Sequence, residues 1–247
     1  MIDLVLIGIG TGNPEHVTRA AEAEMRRAGL VLLPRKRGEK QDLLDVRLHI
    51  LDQSGSDAER RTFEMPERDT ALPYIERVER WHDEIAAKWL EATHGFDPAS
   101  GPVALLVWGD PGLYDSTLRI AGRLDPPARL RAVPGITAMQ ALTAAHAIPF
   151  NTLGGSVFVT TGRRLRADGW PDGAETVVVM LDEGGAYDVL DPTAFDIWWG
   201  AYLGMPEQIL DKGPLADAGP RIAETRKSAR AAHGWIMDTY ILRKSAH

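Results

Sequence analysis

The stretch "GIGTGNPEHVT", residues 8–18, decides how this chain is read. It follows the apolar run Ile2-Asp3-Leu4-Val5-Leu6-Ile7 and precedes a segment in which Val17, Ala20, Ala21, Ala23 and Met25 are mixed with charges. A strand over residues 4–9, a glycine-rich turn and a helix over residues 15–28 form the opening of a βα unit. In dinucleotide-binding folds such a turn sets pyrophosphate on the helix N-terminus. Here Gly8, Gly10 and Gly12 lack the later glycine that lets helix and strand pack closely, and Glu15 puts negative charge in the first turn. The second strand, residues 30–33, is ended by Pro34 and followed by Arg35, Lys36 and Arg37, where an acidic residue would grip a ribose. NAD is therefore disfavoured, while NADP held through the basic residues stays open. A glycine trio alone is a weak signal, and its plainest meaning is a tight βα turn.

Working outward, strand-like and helix-like segments alternate through the first 145 residues. Tyr74, Ile75, Val78, Trp81, Ile85 and Trp89 mark one face of a long helix. Residues 103–108, after Pro102, are a continuous apolar run of the kind covered on both faces. A helix over 116–124, a strand over 130–133 and a helix over 136–145 complete the pattern, which implies a parallel sheet with crossover helices. Residues 35–70 hold charge, glycine and little periodicity, and are expected to be an irregular insertion. From residue 148 the rhythm changes. Strands are expected at 156–160, 176–181, 197–203 and 209–212 with few helices between them, then one substantial helix at 216–231 and a last strand starting at Gly234. Strands in immediate succession can pair antiparallel, so this half should carry a mixed sheet. The expected architecture is α/β, with two domains, 1–147 and 148–247, meeting at a cleft.

Composition bounds the function. A chain of 247 residues with 44% hydrophobic content has ample material for packed cores. The absence of cysteine excludes disulfides, thiolate metal sites and cysteine nucleophiles. A net charge of -7 argues against a nucleic-acid binder, and the seven histidines lack metal-ligand spacing, so no metal is expected. No basic leader precedes the first strand, and no apolar run approaches the roughly 20 residues a membrane helix needs, so no membrane partner and a cytoplasmic location are expected. A small-molecule enzyme is the default.

Two further turns sharpen this. "WGDPGLYDS", residues 108–116, follows the buried strand, and "VPGITA", residues 133–138, follows the next. Both lie where a strand meets a helix, so three loops gather at the carboxyl ends of strands of one sheet, where open α/β folds bind ligands.

On these residues the chain resembles the tetrapyrrole methylases, which transfer methyl groups from S-adenosylmethionine to uroporphyrinogen-derived macrocycles in cobalamin and sirohaem synthesis. The family's glycine-rich first loop matches residues 8–18. Its Gly-Asp-Pro loop matches Gly109-Asp110-Pro111, and its Val-Pro-Gly-(Ser/Thr) loop matches Val133-Pro134-Gly135-Ile136-Thr137. Order, spacing and placement agree, and the resemblance runs through essentially the entire chain. The strings "WWGAYLGMPEQILDKGPL", residues 198–215, and "GWIMDTYIL", residues 234–242, resemble the deacetylating C1-methyltransferases of the aerobic cobalamin route, which act on precorrin-5. The alternatives are a precorrin C-methyltransferase of different ring-carbon specificity, an NADP-dependent oxidoreductase and a non-catalytic carrier of corrin intermediates.

The resemblance implies S-adenosylmethionine as cofactor, lying between the domains, and S-adenosylhomocysteine as its product. This cofactor carries no phosphate, so the glycines are read as making room for cofactor and macrocycle at the backbone. The cofactor-binding candidates carried over are Gly8, Gly10, Thr11, Gly12, Gly109, Asp110, Thr137 and Ala138, with Leu181 and Gly213 from the second domain. Thr11 stands where the family often has proline, and Leu181 where it often has methionine. Gly109-Asp110-Pro111 also reads as an ordinary β-turn, with Asp110 as its cap. The implied acceptor is an anionic tetrapyrrole, and arginine suits its carboxylates; Arg35, Arg119 and Arg163 are the preferred ligands among a set that includes Lys36, Arg37, Arg164 and Arg166. Tyr114 and Asp110 are the catalytic candidates, Tyr114 as a hydrogen-bonding group for a pyrrole or carboxylate. Asp182, Glu183 and His16 are open candidates for activating the water that removes acetate. The family also implies a homodimer.

Overall fold

Asp3–Gly8 (β1) is an interior strand: every residue after Asp3 is buried, as its unbroken apolar run requires. The computed structural model describes residues 2–35 and 42–245, and the chain divides into two units, Met1–Thr137 and Ala138–His247.

In the first unit β1 joins Leu30–Arg35 (β2), Glu59–Glu64 (β3), Val103–Val107 (β4) and Arg129–Val133 (β5) in a five-stranded sheet of order β3-β2-β4-β1-β5. Every pairing is parallel. The three interior strands are apolar and the charged ones, "ERRTFE" and "RLRAV", take the edges, where exposed side chains are tolerated. Alternation along the strands makes two cores. Leu4, Leu6, Leu32 and Leu105 face Ile85 and Trp89 of α3 (Tyr74–Thr93) and Ile120 of α4 (Thr117–Ala121). Val5, Ile7, Val31 and Leu106 face Ala21 and Met25 of α1 (Arg19–Arg27) and Ile50 and Leu51 of α2 (Asp42–Ser54).

Several expectations need correction. Residues 35–70 are not irregular throughout: they contain α2 and β3. The apolar residues of α2 fall at 43, 44, 46, 48, 50 and 51, an untidy stripe, and β3 is an edge strand that buries only Phe63, so neither left a clean period. The helix read over 15–28 is split. Asn13 caps a short turn at Pro14–His16, and α1 starts afresh with the Thr18 side chain accepting the Ala21 N–H at 3.1 Å. Pro34 lies within β2 rather than ending it. It faces the side on which pairing to β4 has stopped at Leu32, while Arg35 on the other side still accepts the Met65 N–H, so no ladder bond is lost. The first turn of α3 leaves Tyr74 and Ile75 exposed.

The second unit opens with α5 (Ala138–His146), which packs on strands of this unit and so sits beyond the division, ahead of the boundary read at 147–148. Its sheet has the order β6-β7-β10-β8-β9, from Val157–Thr161 (β6), Thr176–Met180 (β7), Phe195–Ala201 (β8), Ile209–Pro214 (β9) and Asp238–Lys244 (β10). β6 and β7 run parallel and the other pairings are antiparallel, making the mixed sheet. Val177, Val179, Ile197, Trp199 and Tyr240 pack on one face with Leu165 of α6 (Gly162–Asp168) and Ile222 of α7 (Leu215–His233). The helix α6 was not foreseen. Gly234 caps α7 at φ +78° instead of opening the last strand.

Among the described residues no helix is long and apolar enough to cross a membrane, and no group of three His, Asp or Glu side chains is placed to hold a metal ion.

Candidate active site

The three glycine-bearing loops leave adjacent strands β4, β1 and β5 at their carboxyl ends. They are joined directly. Gly10 and Gly109 form an isolated bridge, with the Gly109 N–H donating to the Gly10 carbonyl at 2.7 Å and the return bond at 3.3 Å. Asp110 ties in the third loop: one carboxylate oxygen accepts the Gly112 N–H at 2.7 Å and the other accepts the Gly135 N–H at 2.9 Å. With both oxygens on backbone amides, the Asp110 carboxylate braces its own turn and ties it to the third loop.

The glycines do two different jobs. A Cβ on Gly8 would stand 2.6 Å from the Gly135 nitrogen, and one on Gly135 would stand 2.0 Å from the Gly109 carbonyl oxygen. At Gly8 and Gly135 the room is filled by neighbouring backbone, not kept for a ligand. Gly109, at φ +66°, has nothing within 4 Å of that position and leaves bare backbone open. Gly10, at φ +74°, lies against the His16 Cβ at 3.0 Å. Gly12 also has positive φ. Thr11 is buried, its hydroxyl 3.3 Å from His16 Nδ1, so His16 packs on the loop it follows. Thr137 is buried where the third loop ends, and Ala138 begins α5.

Beyond the Asp-Pro turn, Tyr114 combines φ +49° with 43% exposure. Partial burial raises its phenol pKa, so at neutral pH the hydroxyl is intact as a hydrogen-bonding group. Asp115 follows, and burial raises its carboxyl pKa against the opposing pull of hydrogen bonds from the Thr117 and Ser116 backbone and of Arg47. Arg47 was not found by sequence reasoning, because it lies in the stretch taken as irregular. It reaches from α2 to donate to the carbonyls of Leu106, on β4, and Leu43, at 3.2 and 3.0 Å, and burial lowers its pKa to about 10. A contact between an arginine on α2 and a carbonyl on β4 leaves no motif, since only the fold brings residues 47 and 106 together.

Of the preferred arginines, Arg35 is exposed at the end of β2, and Arg119 is exposed on α4 with its guanidinium donating to the Asp115 carbonyl at 2.9 Å. Lys36 and Arg37 lie outside the described residues. In the second unit Arg163 is exposed near the start of α6. Leu181 follows β7, the neighbour of β6, so it and Arg163 share one end of the sheet. Gly213 is on the far edge strand, level with Ile197 and through it with Leu242 and Val177, not beside Leu181. Its φ is +139° and nothing lies within 4 Å of its missing Cβ. Asp182, one of the open candidates for activating water, is buried with one oxygen accepting from Gly184 and the other from Ala186 and Tyr240.

Residues 3–219 match the family Tetrapyrrole (Corrin/Porphyrin) Methylases. A precorrin-6A synthase [deacetylating] from Sinorhizobium sp. is 41% identical across all of this chain and 97% of its own length. A crystal structure from Corynebacterium diphtheriae, of a protein described as related to cobalamin synthesis (CobF), superposes with a TM-score of 0.85 at 39% identity, covering 99% of each chain. A uroporphyrin-III C-methyltransferase from Thermus thermophilus in complex with S-adenosylhomocysteine has the same fold, with a TM-score of 0.60 at 19% identity over 98% of this chain and 97% of its own. With the glycine loops, the Asp-Pro turn and the two sheets in the order just described, the chain belongs to the tetrapyrrole (corrin/porphyrin) methylase family.

Proposed function

We propose that this S-adenosylmethionine-dependent methyltransferase methylates C1 of precorrin-5 and releases acetate to give precorrin-6A. The observation that carries the site is the locking of three loops at the carboxyl ends of β4, β1 and β5 through the Gly10–Gly109 bridge and the Asp110–Gly135 bond. The reaction is supported by the full-length similarity to the precorrin-6A synthase.

The residues present suit the cofactor. Gly109 offers backbone that no side chain covers, and Thr11 and Thr137 place hydroxyl-bearing residues in the flanking loops. We assign cofactor contact to the Gly10, Thr11 and Gly12 turn, to Gly109, to Thr137 and Ala138, and, in the second unit, to Leu181 and Gly213. Gly8 and Asp110 hold these loops in register. S-adenosylmethionine, when bound, supplies the electrophilic methyl group. An electron-rich ring carbon needs no strong base to accept it, so the protein's part is alignment and exclusion of water. Arg35, Arg119 and Arg163 are assigned to the acceptor's carboxylates, and the Tyr114 hydroxyl to a pyrrole or carboxylate. A homodimer in the cytoplasm completes the reading; a monomer mass in sedimentation would remove the dimer.

Incubation with precorrin-5 and S-adenosylmethionine is expected to yield a methylated product and one equivalent of acetate. Methylation without acetate would shift the assignment to another ring carbon, and absence of S-adenosylhomocysteine binding at millimolar ligand would overturn it.

A further inference from the structure

Leu181 holds an unexpected conformation. Its φ of +52° lies in the left-handed region, where a bulky residue is an outlier, yet its side chain is 61% exposed and so gains little from packing. Glycine or asparagine would take this φ more readily. Strained positions of this kind persist where their surroundings fix them, and they gather at ligand clamps.

Here the surroundings are specific. Asp182, the next residue, is buried with one carboxylate oxygen accepting the Gly184 N–H at 3.1 Å and the other accepting the Ala186 N–H at 2.6 Å and the Tyr240 hydroxyl at 2.8 Å. Its carbonyl accepts from the Arg226 guanidinium at 2.5 Å. Gly162 leaves room for the carboxylate: a Cβ there would lie 2.3 Å from an Asp182 oxygen. Arg226 is itself held by Asp238 at 2.8 Å, and Asp238 accepts the Trp199 indole N–H at 2.7 Å. Burial and the Asp182 carboxylate push the Tyr240 phenol well up, so it remains a donor. Asp182 is thus anchored from α7, β10 and the turn after β7, in space that Gly162 of α6 leaves open.

We propose that Asp182 and Tyr240 are positioning residues that keep the Leu181 side chain projecting from the end of β7 as an apolar contact for S-adenosylmethionine. This rests on the assignment of Leu181 as a cofactor contact. The hydrogen bonds of this network involve no Leu181 side-chain atom and would be made equally with glycine at 181, so an exposed leucine held at φ +52° is what the brace presents.

The test is a double-mutant cycle on the full chain, with S-adenosylhomocysteine affinity measured by calorimetry and KM and kcat by methyl transfer. Leu181→Gly is expected to weaken binding about tenfold, the order of losing one aliphatic contact, and to raise KM for S-adenosylmethionine with kcat within about twofold. Tyr240→Phe is expected to weaken binding about threefold in the native chain and to add nothing in the Leu181→Gly background, because the hydroxyl then has no side chain to position. Equal effects of Tyr240→Phe in both backgrounds, or no effect in either, would overturn the brace while leaving the contact standing. An unchanged affinity in Leu181→Gly would remove the contact itself, and the brace with it. Asp182→Asn, which keeps one acceptor oxygen, takes the same place in the cycle should Tyr240→Phe not fold.

Discussion

Asp110 and Gly135 show how little chemistry separates a loop from a built site. The Asp110 carboxylate spans the Gly112 and Gly135 amides, and Asp110→Ala removes both acceptors at once. The expected outcome is a stability loss of about 1–3 kcal/mol in urea unfolding, with S-adenosylhomocysteine affinity down about tenfold in calorimetry. Wild-type values for both would detach Asp110 from the site. The glycines give a contrasting pair. Gly135→Ala drives a methyl group against the Gly109 carbonyl and is expected to cost about 3 kcal/mol, whereas Gly109→Ala meets open space and is expected to cost about 1–2 kcal/mol, from its left-handed backbone alone. Equal losses in urea unfolding would contradict that division. The sequence marked both glycines through the motifs; it did not distinguish them, because residue type records a missing Cβ without recording what fills its place.

At the scale of elements, the motifs were legible where the period was clean. β1 and β4 were read from unbroken apolar runs, and α3 from its stripe. The α2–β3 segment was not, because its helix mixes periods and its strand is a charged edge. Ile50→Ala tests whether α2 is part of the core: with Ile50 buried against β1 and β2, the expected loss is about 2–5 kcal/mol, read as a lower midpoint of unfolding. A surface-like effect below about 0.5 kcal/mol would return this segment to the periphery. The same helix supplies Arg47, whose guanidinium fastens α2 to the Leu106 carbonyl one residue before the strand ends.

For the whole molecule, the buried histidines set a pH dependence. His82, in the first unit, is pushed below its usual 6.5 by burial and by the nearby cations Arg123, Arg119 and Arg68. His146, in the second, is lowered by burial despite donating to the Trp199 carbonyl at 2.9 Å. With folded values below the unfolded one, the unfolded chain binds more protons, so this stability is fully present above pH 6.5 and is lost as pH falls through the folded values. Asp115 and Asp238, raised from 3.8 chiefly by burial, act the other way: their contribution is present when they are protonated and is lost as pH rises through their folded values. Urea unfolding between pH 7 and 5 is expected to show falling stability, with a shallower fall in His146→Gln. An unchanged slope would remove His146 from the cause.

What the sequence alone determined is the alternation of strand and helix, the change of rhythm after the first half and the three loops that identify the family, because periodicity and turn chemistry are properties of neighbours in the chain. What only the tertiary structure decided is which glycines face backbone and which face open space, which backbone and side-chain groups the Asp110 and Asp182 carboxylates accept from, and the reach of Arg47 to β4. Each depends on atoms from residues far apart in the chain meeting within a few ångströms, and that meeting is fixed by sheet order and packing rather than by local pattern.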